Sequence, residues 1–380
     1  MVCTGEFVNG LVDGLELKST IKSKPGQEFK LKIKEKSLKF TSEHLRKVAM
    51  SELKNNTPFA ATYVLLPNVQ GIDTIYVNVK ASFNLGKSWT LCDEQTPPFF
   101  QDVYWGEPGF SSIKFPTAIH QGKPATDIGL LATACAPDHK LVRQLDVSAS
   151  VGMVQKTLRV FGDRVWDRGR VSSATEFVQM PLVYENAFGG QYWKDNQLVD
   201  LETRNPLGKG FKGERSQEEM NGSMLPNIEN PTQLIGSVDD SPAPSGFGFI
   251  ASNWHPRFLY AGTYDEQWKQ NRAPYLPLDY QPRFQNSAHP DLVSGGYLTG
   301  GEEVTLTNMH PGGPINFIIP HIVLSGKVQF HGQISQSLQF VMETLIVDVD
   351  NERLTLDWKA SCLCNNALPL LRSITINLVR

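Results

Sequence analysis

From Phe59 onward, apolar and polar residues alternate with a period of two, the period of a strand with one buried face. YVLLP, the turn-rich NVQGID and IDTIYVNVKASF read as a hairpin. Its second strand sets Ile75, Val77, Val79, Ala81 and Phe83 against Tyr76, Asn78, Lys80 and Ser82, so one face is expected to be buried. QLDVSASVGMVQKTLRVF reads the same way, with Leu145, Val147, Ala149 and Val151 before Gly152 and Val154, Leu158 and Val160 on the return. Near the C-terminus, LQFVMETLIVDVDNERLTLDWKA reads as two strands around Asp350, Asn351 and Glu352, and RSITINLVR alternates to the last residue. Residues 97–137 read as loop. The pattern predicts a mainly β fold, antiparallel sheets or a sandwich, with a few short helices.

Residues 161–290 break the alternation. They hold 12 Gly and 11 Pro, against 32 of the two in the other 250 residues, so regular structure there is expected to be short. FGDRVW, MPLVYENAFGG, NPLGKGF, LPNIENP, SGFGFIASNWHPR, AGTYDEQW and LDYQPRFQN follow one another with little spacer. Gly permits positive φ, Pro fixes φ, Asn bonds its own backbone, and each motif reads as a rigidified loop. Loops ordered during folding suit recognition, because their ordering cost does not fall on binding. One helix is signalled: Thr263 with Glu266 three residues later reads as a capping box, and Pro274 stops the helix after Arg272. Tyr264, Trp268 and Arg272 then share a face, with a Trp268–Arg272 cation–π pair in reach and internal packing the favoured use of the stripe.

The chain thus divides into an N-terminal β part (50–160), the loop-rich part (161–290) and a C-terminal β part (291–380) packing on the same core. The first 49 residues carry ten Lys or Arg and six Asp or Glu, a net of +4, while the rest carries −7. MSELKNNTPFAATYV looks like a protein start at Met50, so residues 1–49 read as an N-terminal extension. Within it FKLKIKEKSLKF is strand-like and SEHLRKVAMSEL has helical spacing. With 380 residues and 40% hydrophobic content a large core is available. A formal charge of −3 argues against a general grip on nucleic acid. No run approaches a membrane span and no signal peptide opens the chain, so a soluble cytoplasmic protein without membrane insertion is expected. Five cysteines, Cys3, Cys92, Cys135, Cys362 and Cys364, read as reduced thiols, and the C-x-C pair supplies only half of a zinc site.

Catalytic templates find no match. Gly208, Gly210 and Gly213 spell G-x-G-x-x-G, but Asn205 and Pro206 before them signal a turn where a dinucleotide site needs a strand. There is no G-x-S-x-G elbow, Cys135 in TACAPDH reads as inert, and seven of the eight histidines, scattered singly from His120 to His331, lack metal-ligand spacing, so no cofactor or metal is expected. Asp163, Glu185, Asp265, Glu266 and Asp279 could include a glycosidase pair. Asp163 with Arg164, and Glu185 with Asn186, read more simply as polar groups that pin loops.

The succession FGDRVW, MPLVYENAFGG, NPLGKG, LPNIE, GFG, AGTYDEQW and RFQN resembles a family of bacterial effector adaptors or chaperones encoded beside the spike and PAAR genes of type VI secretion systems. The resemblance covers about Glu52 to Leu324. Two positions depart from it: Phe249 follows GFG where Pro is expected, and Gln285 stands where a second aromatic is expected. The resemblance implies no catalytic residues. It implies a partner, an effector protein that can be PAAR-linked, bound in the cytoplasm and loaded onto the spike. Asp163, Arg164, Glu185, Asn186, Asn205, Asn227 and Asp265 fall in its motifs and are expected to be mostly structural. Trp254, Arg257, Tyr264, Trp268, Arg272 and Arg283 are the expected partner contacts, since Trp, Tyr and Arg dominate binding hot spots. The alternatives are a glycan hydrolase using paired carboxylates and Trp-rich loops, and a structural subunit of the secretion apparatus.

Overall fold

The computed structural model describes residues 52–85, 89–332 and 335–379, all in the unit Met50–Arg380. The strand-like run read within residues 1–49 and the helical run up to Ser51 lie outside the described residues; the last two residues of that helical run, Glu52 and Leu53, are in the strand Glu52–Asn56 and not in a helix. The fold is β-rich, with several mostly antiparallel sheets. A six-stranded sheet runs in the order Ala60–Pro67, Asp73–Asn84, Arg353–Leu363, Val341–Asp348, Asp127–Leu131, with Thr90–Leu91 added beside Asp73–Asn84. A four-stranded sheet runs Glu52–Asn56, Leu371–Val379, Val323–Phe330, Gln336–Gln339, and a five-stranded sheet runs Ile228–Glu229, Val154–Phe161, Gln144–Val151, Glu303–Thr307, Ile315–Ile318. The first and last strands of the described residues therefore lie side by side.

The predicted hairpins form. Ala60–Pro67 pairs antiparallel with Asp73–Asn84, and Gln144–Val151 with Val154–Phe161 around Gly152, whose φ of +54° relieves the tight turn. Val341–Asp348 and Arg353–Leu363 pair around the expected turn. One face of the six-stranded sheet is the apolar core: Val77, Val79, Ala81, Ile128, Leu345, Val347, Leu354 and Leu356 are all buried. Burying each large aliphatic side chain stabilises by about 1.5–3 kcal/mol. An aromatic chain ties this sheet to the five-stranded one, Phe83 to Trp89 at 6.3 Å and Trp89 to Phe317 at 4.8 Å between ring centroids.

Three expectations are corrected. The Asp73–Asn84 strand is buried on both faces, because Tyr76, Asn78, Lys80 and Ser82 lie under the loops around Phe99 and His120. Residues 97–137 are not all loop: Asp127–Leu131 is a strand paired parallel to Val341–Asp348, and Thr133–Cys135 pairs with Gln179–Pro181. The run ATDIGLLATAC lacks alternation because both of its faces are covered. The helix Glu266–Asn271 is capped by Asp265, whose side chain accepts from the Trp268 N–H at 2.7 Å, while Thr263 bonds Asp279 instead.

Within 161–290 the strands are two to five residues long and the one α-helix has six. This stretch has its own small core of Trp166, Phe188, Met220, Leu225, Ile235 and Val238. Lys209–Gly210 runs parallel to Phe188–Gly189, and a Cβ on Gly208 would lie 2.4 Å from the Ala187 carbonyl oxygen. Gly208 thus serves close backbone approach, and Gly210 and Gly213 hold positive φ of +91° and +58°.

Candidate functional site

The motif residues converge on one hydrogen-bonded network. Lys209 Nζ donates to Asn186 Oδ1 and Asn227 Oδ1, both at 2.9 Å, and Asn227 Nδ2 donates to Asp163 Oδ1 at 2.9 Å and to the Phe161 carbonyl. Arg164 pairs with Glu229 in the interior, donates to the Pro226 carbonyl at 2.7 Å and lies over the Phe161 ring. Asn205, fully buried, donates to the carbonyls of Tyr184 and Phe188, and Glu185 accepts from the Ser112 N–H and hydroxyl. Each side chain satisfies backbone groups that short, irregular segments cannot pair among themselves. The network holds loops in place and leaves no carboxylate of the motifs in a cleft.

The expected partner contacts separate into two groups. Trp254 and Arg257 are not surface residues. Trp254 packs edge-on against Tyr184 at 5.8 Å, and Arg257 donates to the carbonyls of Phe284 and Ile250 at 2.8 Å. Tyr264, Trp268, Arg272 and Arg283 belong to an outer lobe in which residues 257–263 fold back on 277–284. Tyr264 and Trp268 meet edge to face at 4.8 Å. Arg272 does not stack on Trp268; it donates to the Leu276 and Val69 carbonyls and lies over Tyr275. Arg283 lies 3.7 Å from the Tyr260 ring centroid. The lobe exposes Phe258, Leu259, Tyr264 and Leu278, the last at 87%. Phe258, Leu259 and Leu278 were missed because an apolar residue in a loop carries no sequence mark of its exposure.

Beside the lobe, the second face of the six-stranded sheet is polar and buried. Lys80 lies opposite Asp357, Asn78 opposite Lys359, and Thr344 opposite both Asp357 and Asp127. A bulge between Met342 and Thr344 brings Glu343 to the same face, where it meets Lys359. Lys123 Nζ pairs with Asp127 at 2.7 Å and donates to Thr344 at 2.8 Å. Lys359 Nζ donates to the carbonyls of Ala118 and His120 and lies 3.6 Å from Glu343 Oε2. Lys80 lies 4.0 Å from the Phe99 ring centroid. Three lysines thus face three carboxylates, and the cluster is balanced.

Burial disfavours the charged form of several groups here. It pushes the Lys359 ammonium down to about 8, raises the Glu343 and Asp357 carboxyls, and lowers Lys80. His120 is held well below its ordinary value, first by burial and then by Lys359 and Lys123, so it is neutral. Its Nδ1 accepts from the Gly122 N–H at 3.1 Å.

The Glu343–Lys359 pair separates two spaces. Inside is an enclosed cavity of about 20 Å³, the size of one water molecule, lined by Asn78, whose Nδ2 has no protein partner. Outside is an open cleft of about 530 Å³, walled by Tyr76, Tyr297 and Pro282 of the lobe and by Ser337, Gln339 and Ser361. Of the two departures from the resembled pattern, Gln285 adjoins this cleft and Phe249 packs on the Asp127–Leu131 strand. The Phe249 ring fills the space over Gly129, where a Cβ would lie 2.1 Å from it, and Gln285 bonds Gln121 in the cleft wall. Among the described residues no three His, Cys, Asp or Glu side chains converge as metal ligands, and no helix is long and apolar enough to cross a membrane.

A family model described as "Uncharacterized protein conserved in bacteria (DUF2169)" matches residues 70–359. The chain belongs to DUF2169. That span runs from the turn of the first hairpin to Lys359, and so includes the motif network, the lobe and most of the charged face. No curated protein and no solved structure matches.

Proposed function

We propose that this protein is a non-catalytic adaptor or chaperone that binds a type VI secretion effector in the cytoplasm, a PAAR-linked one included, and helps load it onto the spike. The observation that carries the binding reading is the outer lobe. Phe258, Leu259, Tyr264 and Leu278 stand exposed on a segment fixed by the Thr263–Asp279 bonds, the Arg272–Val69 bond and the Arg283–Tyr260 stack. Rigid exposed apolar and aromatic side chains supply contact area at low ordering cost. The secretion context rests on the resemblance of the motifs.

The polar network supports the same reading. Asp163, Glu185, Asp265 and Asp279 each accept hydrogen bonds that hold a loop. A glycan hydrolase needs two carboxyl groups about 5–10 Å apart in one cleft, and Glu343 alone among the residues lining the open cleft carries one. The test is co-expression with the products of the neighbouring effector and spike genes. A complex is expected to co-purify and to weaken at least about tenfold in Leu278→Asp, since a charge at an apolar contact is desolvated without a partner. Absence of any complex, with effector secretion unchanged on deleting the gene, refutes the adaptor role.

A further inference from the structure

We propose that the open cleft receives an extended, uncharged polypeptide segment of the bound cargo, hydrogen-bonded along the edge strand Gln336–Gln339. This rests on the binding reading above and names what its partner presents. Gln336–Gln339 ends the four-stranded sheet and, among the described residues, pairs only with Val323–Phe330. Its outer edge offers backbone N–H and C=O groups, the template for strand addition. Edge strands are commonly guarded by charge, proline or a bulge. The opposite edge of the same sheet carries the Lys54–Glu52 ion pair, whereas QSLQ has no charge or proline and its pairing has no bulge.

The cleft lies where an added strand would send its side chains. Ser337 and Gln339, alternate residues on one side of the edge strand, both line it, and Leu338 between them is buried on the other side. An added strand keeps the same pleat, so every second side chain projects over the cleft. Tyr76, Tyr297, Pro124 and Pro282 supply flat apolar walls, and Ser361 adds an exposed hydroxyl.

Charge selects the occupant. Lys123 is paired with Asp127, and Lys359 is engaged by two carbonyls and by Glu343, so the floor offers no uncompensated charge. A charged side chain entering the cleft would lose water without gaining a counter-charge. A hydroxyl or carboxamide meets a suitable acceptor. Among the described residues, the polar groups that approach Glu343 Oε2 are Lys359 at 3.6 Å and His120 at 3.8 Å, both longer than a hydrogen bond.

The test pans random dodecapeptides displayed on phage against the full chain and measures the enriched peptides by fluorescence anisotropy. Expected are peptides alternating apolar residues with Ser, Thr, Asn or Gln. They should lose at least about tenfold in affinity for Gln339→Arg and for Ser361→Arg, both exposed positions where folding is checked by an unchanged melting temperature. Leu278→Asp should leave peptide affinity intact. No enrichment over a protein-free control, enrichment of charged peptides, or equal affinity for both variants overturns the proposal. So does a wild-type dimer that both variants dissociate, which would make a second copy the occupant. Effector that co-purifies equally with both cleft variants removes this inference alone; effector that never binds wild type removes the adaptor reading.

Discussion

Replacing Asp127 by asparagine tests whether the buried charged face depends on exact pairing. Asp127 is fully buried at the start of its strand. Its Oδ2 accepts from Lys123 Nζ at 2.7 Å, the Ser287 N–H at 2.7 Å and the Ser287 hydroxyl at 3.1 Å, and its Oδ1 from Asn286 Nδ2 at 2.8 Å. The substituted carboxamide would keep the shape, yet either orientation of it sets an NH₂ against a donor. Turned toward the Oδ2 position, that NH₂ confronts three donors. Turned toward the Oδ1 position it confronts Asn286, which could reverse only by giving up its bond to the Ala125 carbonyl. In both cases the Lys123 ammonium, 1% exposed, loses its counter-charge; it keeps Thr344 alone in the first orientation, and Thr344 and the neutral carboxamide oxygen in the second. Breaking a buried ion pair from one side costs about 3–5 kcal/mol, a large part of a total stability of about 5–15 kcal/mol. The assay is urea unfolding at pH 7 followed by tryptophan fluorescence, for Asp127→Asn, Lys123→Met and the double variant. Asp127→Asn should shift the midpoint far down, and adding Lys123→Met should recover part of the loss by removing the stranded charge. A loss under about 1 kcal/mol for Asp127→Asn, or strictly additive losses in the double variant, would refute the reasoning.

Other outcomes follow from the same geometry. Acidification should destabilise the fold, because His289 is lowered to about 4 by burial and by Lys156, so the unfolded chain binds a proton that the folded chain does not. Stability from this group is present above about 6.5 and falls as pH drops toward 4, by about 2 kcal/mol between pH 7 and pH 5. His120, lowered in the same direction, adds to the slope, and His120→Gln should flatten it in urea titrations across that range. Gly129→Ala should cost about 1–3 kcal/mol by overpacking, since its Cβ would collide with the Phe249 ring, and Phe249→Leu on that background should restore part of the melting temperature. The thiols of Cys362 and Cys364 are pushed up to about 11 and about 12 by burial, leaving a thiolate fraction of about a thousandth or less at pH 8. A thiol reagent should therefore modify them at a small fraction of the rate seen in the urea-unfolded chain, and equal rates would contradict the burial.

The strands with a strict period of two were legible as strands, because Ile75 to Phe83 and Val147 to Val151 carry that period in their own alternation, although the burial of the second face of the first was not. The shortness of structure in 161–290 was legible from Gly and Pro, whose backbone limits act locally. The helix cap was misplaced by two residues. Thr263 and Asp265 are both good caps, and the choice went to Asp265 because Asp279, sixteen residues downstream, engages Thr263.

The charged face was not legible, although its residues stood in the open. Lys80, Asp357 and Lys359 look like the solvent side of ordinary strands, and Lys123, Asp127 and Glu343 like loop or surface charges. What buries them is the covering of the sheet by segments 99–126 and 280–297, including contacts as distant in the chain as those of Lys359 with the Ala118 and His120 carbonyls. The sequence by itself determined the strands that alternate with a period of two and the shortness of regular structure in 161–290, since both follow from neighbours in the chain. Only the tertiary structure decided that Trp254 and Arg257 lie inside, that Phe258 and Leu278 lie outside, and that six ionisable groups meet across four strands and a loop. A side chain's exposure and its counter-charge are properties of what packs on it, and local pattern does not carry that information.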